Sequence, residues 1–358
     1  MKILFSGGGT LGPVTPLLAI KEALDTHDKK IEYLWIGTKD GPEKELIVGH
    51  QIPFYTIASG KLRRYWSFLN FLDIFKIIFG GLQSFNFLLR EKPDVCISAG
   101  GFTSVPVHFS AWMLGIPTWI HQQDIRVGLA NRIMSKVAKV ITVSTGKLEF
   151  AFNQKKVYVL GNPVREDLLH GNKEKAYEKF LLDKNLPIVF SMGGGTGSMK
   201  INKIMVEAMG HLEGMCNVIH LTGKERPQEM VEQAKNIYKN YKSFQFFTNE
   251  MKDAYAVADV IVTRGGFGSL TEIAALAKPA IVIPKFGHQV ENVNFLQREN
   301  AVILLPEETT DGNALAGNIK QLLGDKKKRE ELGKNIHALL PRANEYDILQ
   351  VLLSVVKS

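Results

Sequence analysis

Residues 1–24 read MKILFSGGGTLGPVTPLLAIKEAL, and the fold turns on the loop after their first strand. A short apolar run, Ile3 to Phe5, enters the glycine loop Gly7-Gly8-Gly9-Thr10-Leu11-Gly12, and a helical pattern opens near Pro16. Glycines between a strand and a helix let backbone N–H groups approach an anion at the helix N-terminus. Pro16 suits the first helical turn, where its missing N–H costs nothing. Gly7, Gly9 and Gly12 spell G-x-G-x-x-G, a dinucleotide fingerprint that also needs an acid ending the second strand to hold the ribose. The second strand, IEYLWIG, ends instead in Gly37-Thr38, with Asp40 beyond it. The dinucleotide reading lacks its partner, and a tight turn without a ligand stays open for this loop taken alone.

The same plan recurs downstream. DVCISAG, PTWIHQQ and KVITVS read as further strands of a first half, and PIVFSMGGG, NVIHLTG, SFQFFT, DVIVTRGG and AIVIPK as strands of a second. Strands alternating with helical stretches predict an α/β fold with parallel sheets and crossover helices. GGGTGS at residues 193–198 echoes GGGTLG at residues 7–12, each between a strand and a helix. Two Rossmann-like halves are expected, with a hinge at Gly161-Asn162-Pro163. The closing ILQVLLSVV is apolar enough to dock as a helix, and the sequence does not say on which half.

At 358 residues the chain is long for one core and suits two domains. A formal charge of +8 favours anionic partners, although its dispersal argues against nucleic acid. Cys96 and Cys216 are far apart in apolar surroundings and fit no disulfide frame or metal spacing, which predicts a reducing compartment. No secretory signal is expected, since the first apolar run passes at once into glycines.

A further stretch, VTRGGFGSLTEIAALAKPAIVIP, runs a strand into Gly265-Gly266-Phe267-Gly268 and opens a helix at Ser269-Leu270-Thr271-Glu272. Exposed N–H groups with Ser269 can hold a diphosphate, and Glu272 can accept from sugar hydroxyls. Equally, Ser269 caps the helix and Glu272 completes a capping box. Local chemistry leaves both open.

Together these stretches are specific in order and spacing. GGTLGPVTPLLA, GGFTSVP, AWMLGIPTWIHQQD with GLANR, GNPVRED, GGGTGSMKIN, and RGGFGSLTEIAALAKP with HQVEN resemble the MurG family almost end to end. Its members move N-acetylglucosamine from UDP-N-acetylglucosamine to the 4-hydroxyl of a lipid-linked muramoyl-pentapeptide, with inversion. The resemblance implies a GT-B fold, two Rossmann-like domains whose parallel sheets face across a cleft. Residues 1–160 would bind acceptor and membrane, residues 161–340 the UDP-sugar, and residues 341–358 form a closing helix. It implies donor contacts from Thr10, Leu11, Gly12 and Asp124, from Arg165 on the phosphates, and from Gly194, Gly195 and Thr196. Thr248 would meet the uracil, Phe267, Gly268, Ser269, Leu270, Thr271 and Glu272 the diphosphate and ribose, and Gln289 and Asn292 the sugar. Pro13, Phe102, His121 and Asn131 fall on the acceptor side. Gly195 stands where the family usually has serine, so Thr196 or Ser198 would supply a hydroxyl. No D-x-D occurs, and helix N-termini with Arg165 would neutralise leaving UDP without a metal or other cofactor.

Two departures matter. The family's GGTGGH places a histidine, a candidate base, where this chain has Pro13, and Leu11 replaces a glycine. Proline can neither take a proton nor donate from its backbone. The family's HEQN reads His121-Gln122-Gln123-Asp124, a carboxylate in place of an amide. Asp124 is the candidate base or acceptor-orienting group; the alternative is a charge change with no catalytic part.

Residues 61–92 are the most aromatic and apolar of the chain, interrupted by Asp73 and Lys76 and expected to break at Gly80-Gly81, so no spanning helix fits. Arg63 and Arg64 lead in, and Trp66, Phe68, Leu72, Phe75 and Phe79 recur near helical spacing. That suits a helix lying on anionic lipid, and the corresponding part of the family is its membrane patch. A core-packing helix is the alternative. The expected place is the cytoplasmic face of the membrane, peripherally bound. Competing functions are a related transferase with another lipid acceptor, a degenerate UDP-sugar-binding homologue, and an epimerase of the same nucleotide sugar.

Overall fold

The computed structural model describes residues 1–60, 68–247 and 249–357, the side chains of residues 68–74 and of His288 excepted. The chain divides into two compact units, Met1–Arg165 with Arg342–Ser358, and Glu166–Pro341.

The first unit runs β1 (Lys2–Ser6), α1 (Thr15–Asp25), β2 (Glu32–Gly37), α2 (Glu43–Gly49), β3 (Phe54–Thr56), α3 (Phe68–Glu91), β4 (Val95–Ser98), α4 (Ser104–Met113), β5 (Thr118–Gln122), α5 (Leu129–Met134), β6 (Val140–Val143) and β7 (Val157–Val159). Its strands lie in the order β3-β2-β1-β4-β5-β6-β7, every pairing parallel. Parallel strands are covered on both faces, which is why Ile3, Leu4 and Phe5 are all fully buried. Alternation sends Ile3 and Phe5 into one core with Leu17 and Leu18, and Leu4 into the opposite one with Phe87 and Val107.

The second unit continues with α6 (Lys173–Lys179), β8 (Ile188–Met192), α7 (Met199–Leu212), β9 (Asn217–Leu221), α8 (Glu229–Ile237), β10 (Tyr241–Phe244), α9 (Met251–Val257), β11 (Val260–Thr263), α10 (Phe267–Ala275), β12 (Ala280–Val282), α11 (His288–Arg298), β13 (Ile303–Leu304), α12 (Gly312–Gly324) and α13 (Lys326–Leu339). Its sheet, β10-β9-β8-β11-β12-β13, is also parallel throughout. Lys278 donates to the carbonyls of Ala256 and Ala258 at 3.0 and 2.8 Å, placing a cation at the end of α9.

The closing helix, α14 (Glu345–Val356), belongs to the first unit. Leu352 and Val355 join the core of Ile3 and Phe5, and Lys139 Nζ donates to the Val355 carbonyl at 2.8 Å. The division falls at Arg165/Glu166 rather than after residue 160, because Asn162 is built into the first unit. His121 bonds its side chain at 3.0 Å, and its carbonyl accepts from Ala343 N–H at 2.9 Å.

Gly80-Gly81 does not break the apolar segment: α3 is continuous from Phe68 to Glu91. A Cβ on Gly80 would stand 1.9 Å from the Ala58 carbonyl oxygen, so the missing side chain admits a neighbouring backbone. The Gly81 carbonyl accepts from Ser110 Oγ at 3.1 Å, fastening α3 to α4. Cys96 and Cys216 are free and buried; burial raises both thiols, Cys216 to about 12.

Candidate active site

In open parallel sheets a ligand finds room beyond the carboxyl ends of the strands where strand order reverses. In the first unit that point lies between β1 and β4. The loop after β1 is held at its base: Gly7 N–H donates to Ile36 O at 3.1 Å, and the buried Trp35 indole donates to Gly7 O at 2.9 Å. Gly9 takes φ +82°, and a Cβ there would meet the Phe102 ring at 2.8 Å. Gly101, at φ +96°, lets the loop after β4 approach within 3.2 Å of the Gly8 carbonyl oxygen by the same measure. Two glycine loops therefore pack face to face. Leu11 O accepts from Val14 and Thr15 N–H, closing the turn that contains Gly12 and Pro13. Gly9, Thr10 and Gly12 are exposed, with Leu11 and Pro13 half-buried, while Gly7 and Gly8 are inside.

His121, expected on the acceptor side, does not present its ring to solvent. It is fully buried on β5, with Nδ1 3.0 Å from Thr142 Oγ1 and Nε2 3.0 Å from Asn162 Oδ1. Trp119 Nε1–H already donates to Thr142 Oγ1 at 2.8 Å. The Thr142 hydroxyl can donate to Nδ1 while Asn162 Oδ1 accepts from Nε2–H, a pairing that suits a neutral ring. Burial lowers its pKa to about 4, against the raising effect of Asn162. Asn131 is also inside, its Nδ2 donating to His121 O and Gln122 Oε1 at 3.0 and 2.8 Å. Gln122 in turn donates to the carbonyls of Asp124 and Arg126, fixing the loop that carries the half-buried Asp124. Arg165 ends the first segment of this unit, half-buried.

In the second unit the reversal lies between β8 and β11. Gly194 and Gly197 have φ +78° and +72°, and Gly197 N–H closes a turn on Gly194 O at 3.1 Å, leaving Gly195 and Thr196 exposed at its tip. Ser198 is taken up as the cap of α7, Oγ accepting from Ile201 N–H at 3.3 Å. Of the two hydroxyls expected to replace the missing serine, only that of Thr196 is exposed.

The capping-box reading of Ser269 and Glu272 fails. Helix α10 starts at Phe267 with Gly266 as its N-cap, which puts Ser269 in the first turn. Glu272 instead accepts from Tyr255 Oη at 2.7 Å. Phe267, Leu270 and Thr271 point into the core, so only their backbone is available to a ligand, whereas Gly268, Ser269 and Glu272 are half-exposed. Gln289 Oε1 accepts from Lys285 N–H at 3.0 Å. Asn292 is fully buried and donates to Gly265 O at 3.4 Å; it supports the glycine loop from beneath and does not reach outward. Thr248, Arg63, Arg64 and Trp66 lie outside the described residues, and the side chains of Phe68 and Leu72 do too.

Two charged residues escaped the sequence reading. Arg264, immediately before the glycines after β11, pairs with Glu307. Burial lowers its pKa from the ordinary value, Glu307 opposes this and Arg226 adds to it. Glu43, past the end of β2, is fully buried beneath the first glycine loop. The signal for Arg264 was its place one residue ahead of a glycine pair; for Glu43, an acid displaced from the expected ribose position.

Two parallel-sheet units, each with a glycine loop and a bare helix N-terminus at its reversal point, define the GT-B class of nucleotide-sugar enzymes. The chain belongs to glycosyltransferase family 28: the family's N-terminal domain matches residues 3–143 and its C-terminal domain residues 188–347. It is 36% identical over 326 residues, 90% of this chain and 91% of the relative, to a UDP-N-acetylglucosamine--N-acetylmuramyl-(pentapeptide) pyrophosphoryl-undecaprenol N-acetylglucosamine transferase of Bacillus thuringiensis. A Clostridium botulinum protein of the same name is 35% identical over 366 residues, 99% of this chain and 98% of the relative. Among solved structures, Acinetobacter baumannii MurG superposes with a TM-score of 0.73 at 22% identity, covering 98% of this chain and 99% of that one. This chain is therefore a glycosyltransferase of the MurG type.

Proposed function

We propose that the enzyme transfers N-acetylglucosamine from UDP-N-acetylglucosamine to the 4-hydroxyl of a polyprenyl-diphosphate-linked muramoyl-pentapeptide, a step of peptidoglycan synthesis, while peripherally bound at the cytoplasmic face of the membrane. The observation that carries this is the nearly full-length match to relatives bearing that activity in their names. In this reading the second unit holds the donor. The uncapped N–H groups at Gly266–Gly268 and the exposed Gly195-Thr196 turn face the diphosphate. Arg165 adds a bidentate cation, Glu272 takes the ribose hydroxyls, and Gln289 the sugar. The acceptor side belongs to the first unit, at Pro13 and Phe102, beside Thr10, Leu11 and Gly12 of the same loop as Pro13, which reach toward the donor.

The acceptor 4-oxygen attacks the anomeric carbon in line as the bond to the UDP oxygen breaks, inverting the centre. UDP leaves as an anion, held by the helix N-terminus and Arg165 without need of a metal. The hydroxyl proton passes to Asp124, because the Pro13 side chain carries no basic atom to receive it. The test is product formation from UDP-N-acetylglucosamine and a short-chain muramoyl-pentapeptide lipid. Asp124→Asn should lower kcat by about a hundredfold or more with donor KM unchanged. Near wild-type turnover in that variant would remove Asp124 as the base. Leu11 and Pro13 favour, as a second reading, a transferase with another lipid-linked acceptor; donor turnover only when that lipid is varied would support it, and donor binding without any product would mark a degenerate enzyme.

A further inference from the structure

Glu43 opens α2 just past β2, and no step of the transfer uses it. Its side chain is completely buried, and a carboxylate persists there only where hydrogen bonds replace water. Oε1 accepts from Thr38 N–H at 2.7 Å and from the Thr38 hydroxyl, and Oε2 accepts from Gly9 N–H at 3.1 Å. The surrounding glycines leave room for it. A Cβ on Gly8 would stand 2.1 Å from Oε1, and one on Gly41 2.1 Å from Oε2. In a glycine loop ahead of a helix such an N–H is ordinarily open to a ligand anion. Here the chain fills that place with its own carboxylate.

We propose that Glu43 is a positioning residue for transfer. Through Gly9 it ties the first glycine loop to the end of β2, and so fixes the exposed limb, residues 10–13, in one conformation toward the acceptor. This rests on the transferase reading. Glu43→Gln keeps the shape but sets an NH2 group against a donor. With UDP-N-acetylglucosamine and the muramoyl-pentapeptide lipid, measured well below the melting temperature, its kcat falls about tenfold. KM for UDP-N-acetylglucosamine, whose assigned contacts lie mainly in the second unit, stays within about twofold. Backbone hydrogen exchange over residues 7–14 accelerates by about tenfold, and exchange in the second unit does not change. Thr38→Ser, which retains both donors, behaves as wild type. Gly8→Ala, whose methyl displaces the carboxylate, reproduces Glu43→Gln and guards against a variant that fails to fold. Unchanged exchange in Glu43→Gln, or a kcat lowered only by the unfolded fraction, overturns the proposal while leaving the transferase reading intact. A wild-type chain that makes no product overturns both.

Discussion

His108 on α4 is fully buried, and neither ring nitrogen has a hydrogen-bond partner among the described residues. Burial lowers its pKa to about 3, as it does that of His220, and that of His121 to about 4. Unfolded, each ring titrates near 6.5. Below that pH the unfolded chain binds protons that the folded chain refuses. The stability gained by keeping these rings neutral is complete above pH 6.5 and declines as pH falls toward the folded values, by up to ~1.4 kcal/mol per pH unit for each ring. Urea denaturation at about pH 7 and about pH 5 should show that loss, and His108→Leu should reduce it by one ring's share. His108→Leu forfeits no hydrogen bond among the described residues, whereas His121→Leu removes the bonds to Thr142 and Asn162 at a cost of about 1–3 kcal/mol. The sequence marked His121 and Asn292 as members of informative motifs and could not say which way they point. His121 lies on a strand buried on both faces, which carries no alternation to reveal direction. Asn292 lies on α11, where the polar letters of the motif do not tell which of them turns inward.

Helix α3 shows how one element can be half legible. Its apolar repeat predicts a surface stripe, and Phe75, Ile78, Phe79 and Leu82 are indeed exposed, at 56–60%. No helix among the described residues is long and apolar enough to cross a membrane. If the stripe meets lipid, Phe79→Glu with Leu82→Glu should lower co-sedimentation with anionic liposomes several-fold while the melting temperature holds. Binding that survives in the folded double variant would refute a lipid-facing role. Gly80 was misread because a glycine's effect depends on its neighbour, and Ala58 lies in another segment. Gly80→Ala gains helix propensity but must push back the Ala58 carbonyl, so destabilisation of about 1–3 kcal/mol is expected in chemical denaturation. Helix α10 is the converse case: its glycines and its strand were plain, yet Ser269-x-x-Glu272 imitated a cap because the helix begins earlier, at Phe267.

At the scale of the molecule, repetition of strand, glycine loop and helix made the inner strands of both sheets readable from sequence, with the loops at their reversal points. The short edge strands β3, β7 and β13 carry too few residues to stand out. The return of the last helix to the first unit was not readable. Its apolar face is generic, and only the packed core of Ile3 and Phe5 selects it. Removing residues 342–358 should therefore destabilise the first unit selectively, giving early proteolysis within residues 1–165 while Glu166–Pro341 stays resistant. The same connectivity sets a timetable during synthesis. The second unit is continuous and can close once Pro341 has left the ribosome, but the first must wait for Leu352 and Val355. The segment made first is thus among the last to be finished, and for most of translation its β1 core stands open to chaperones.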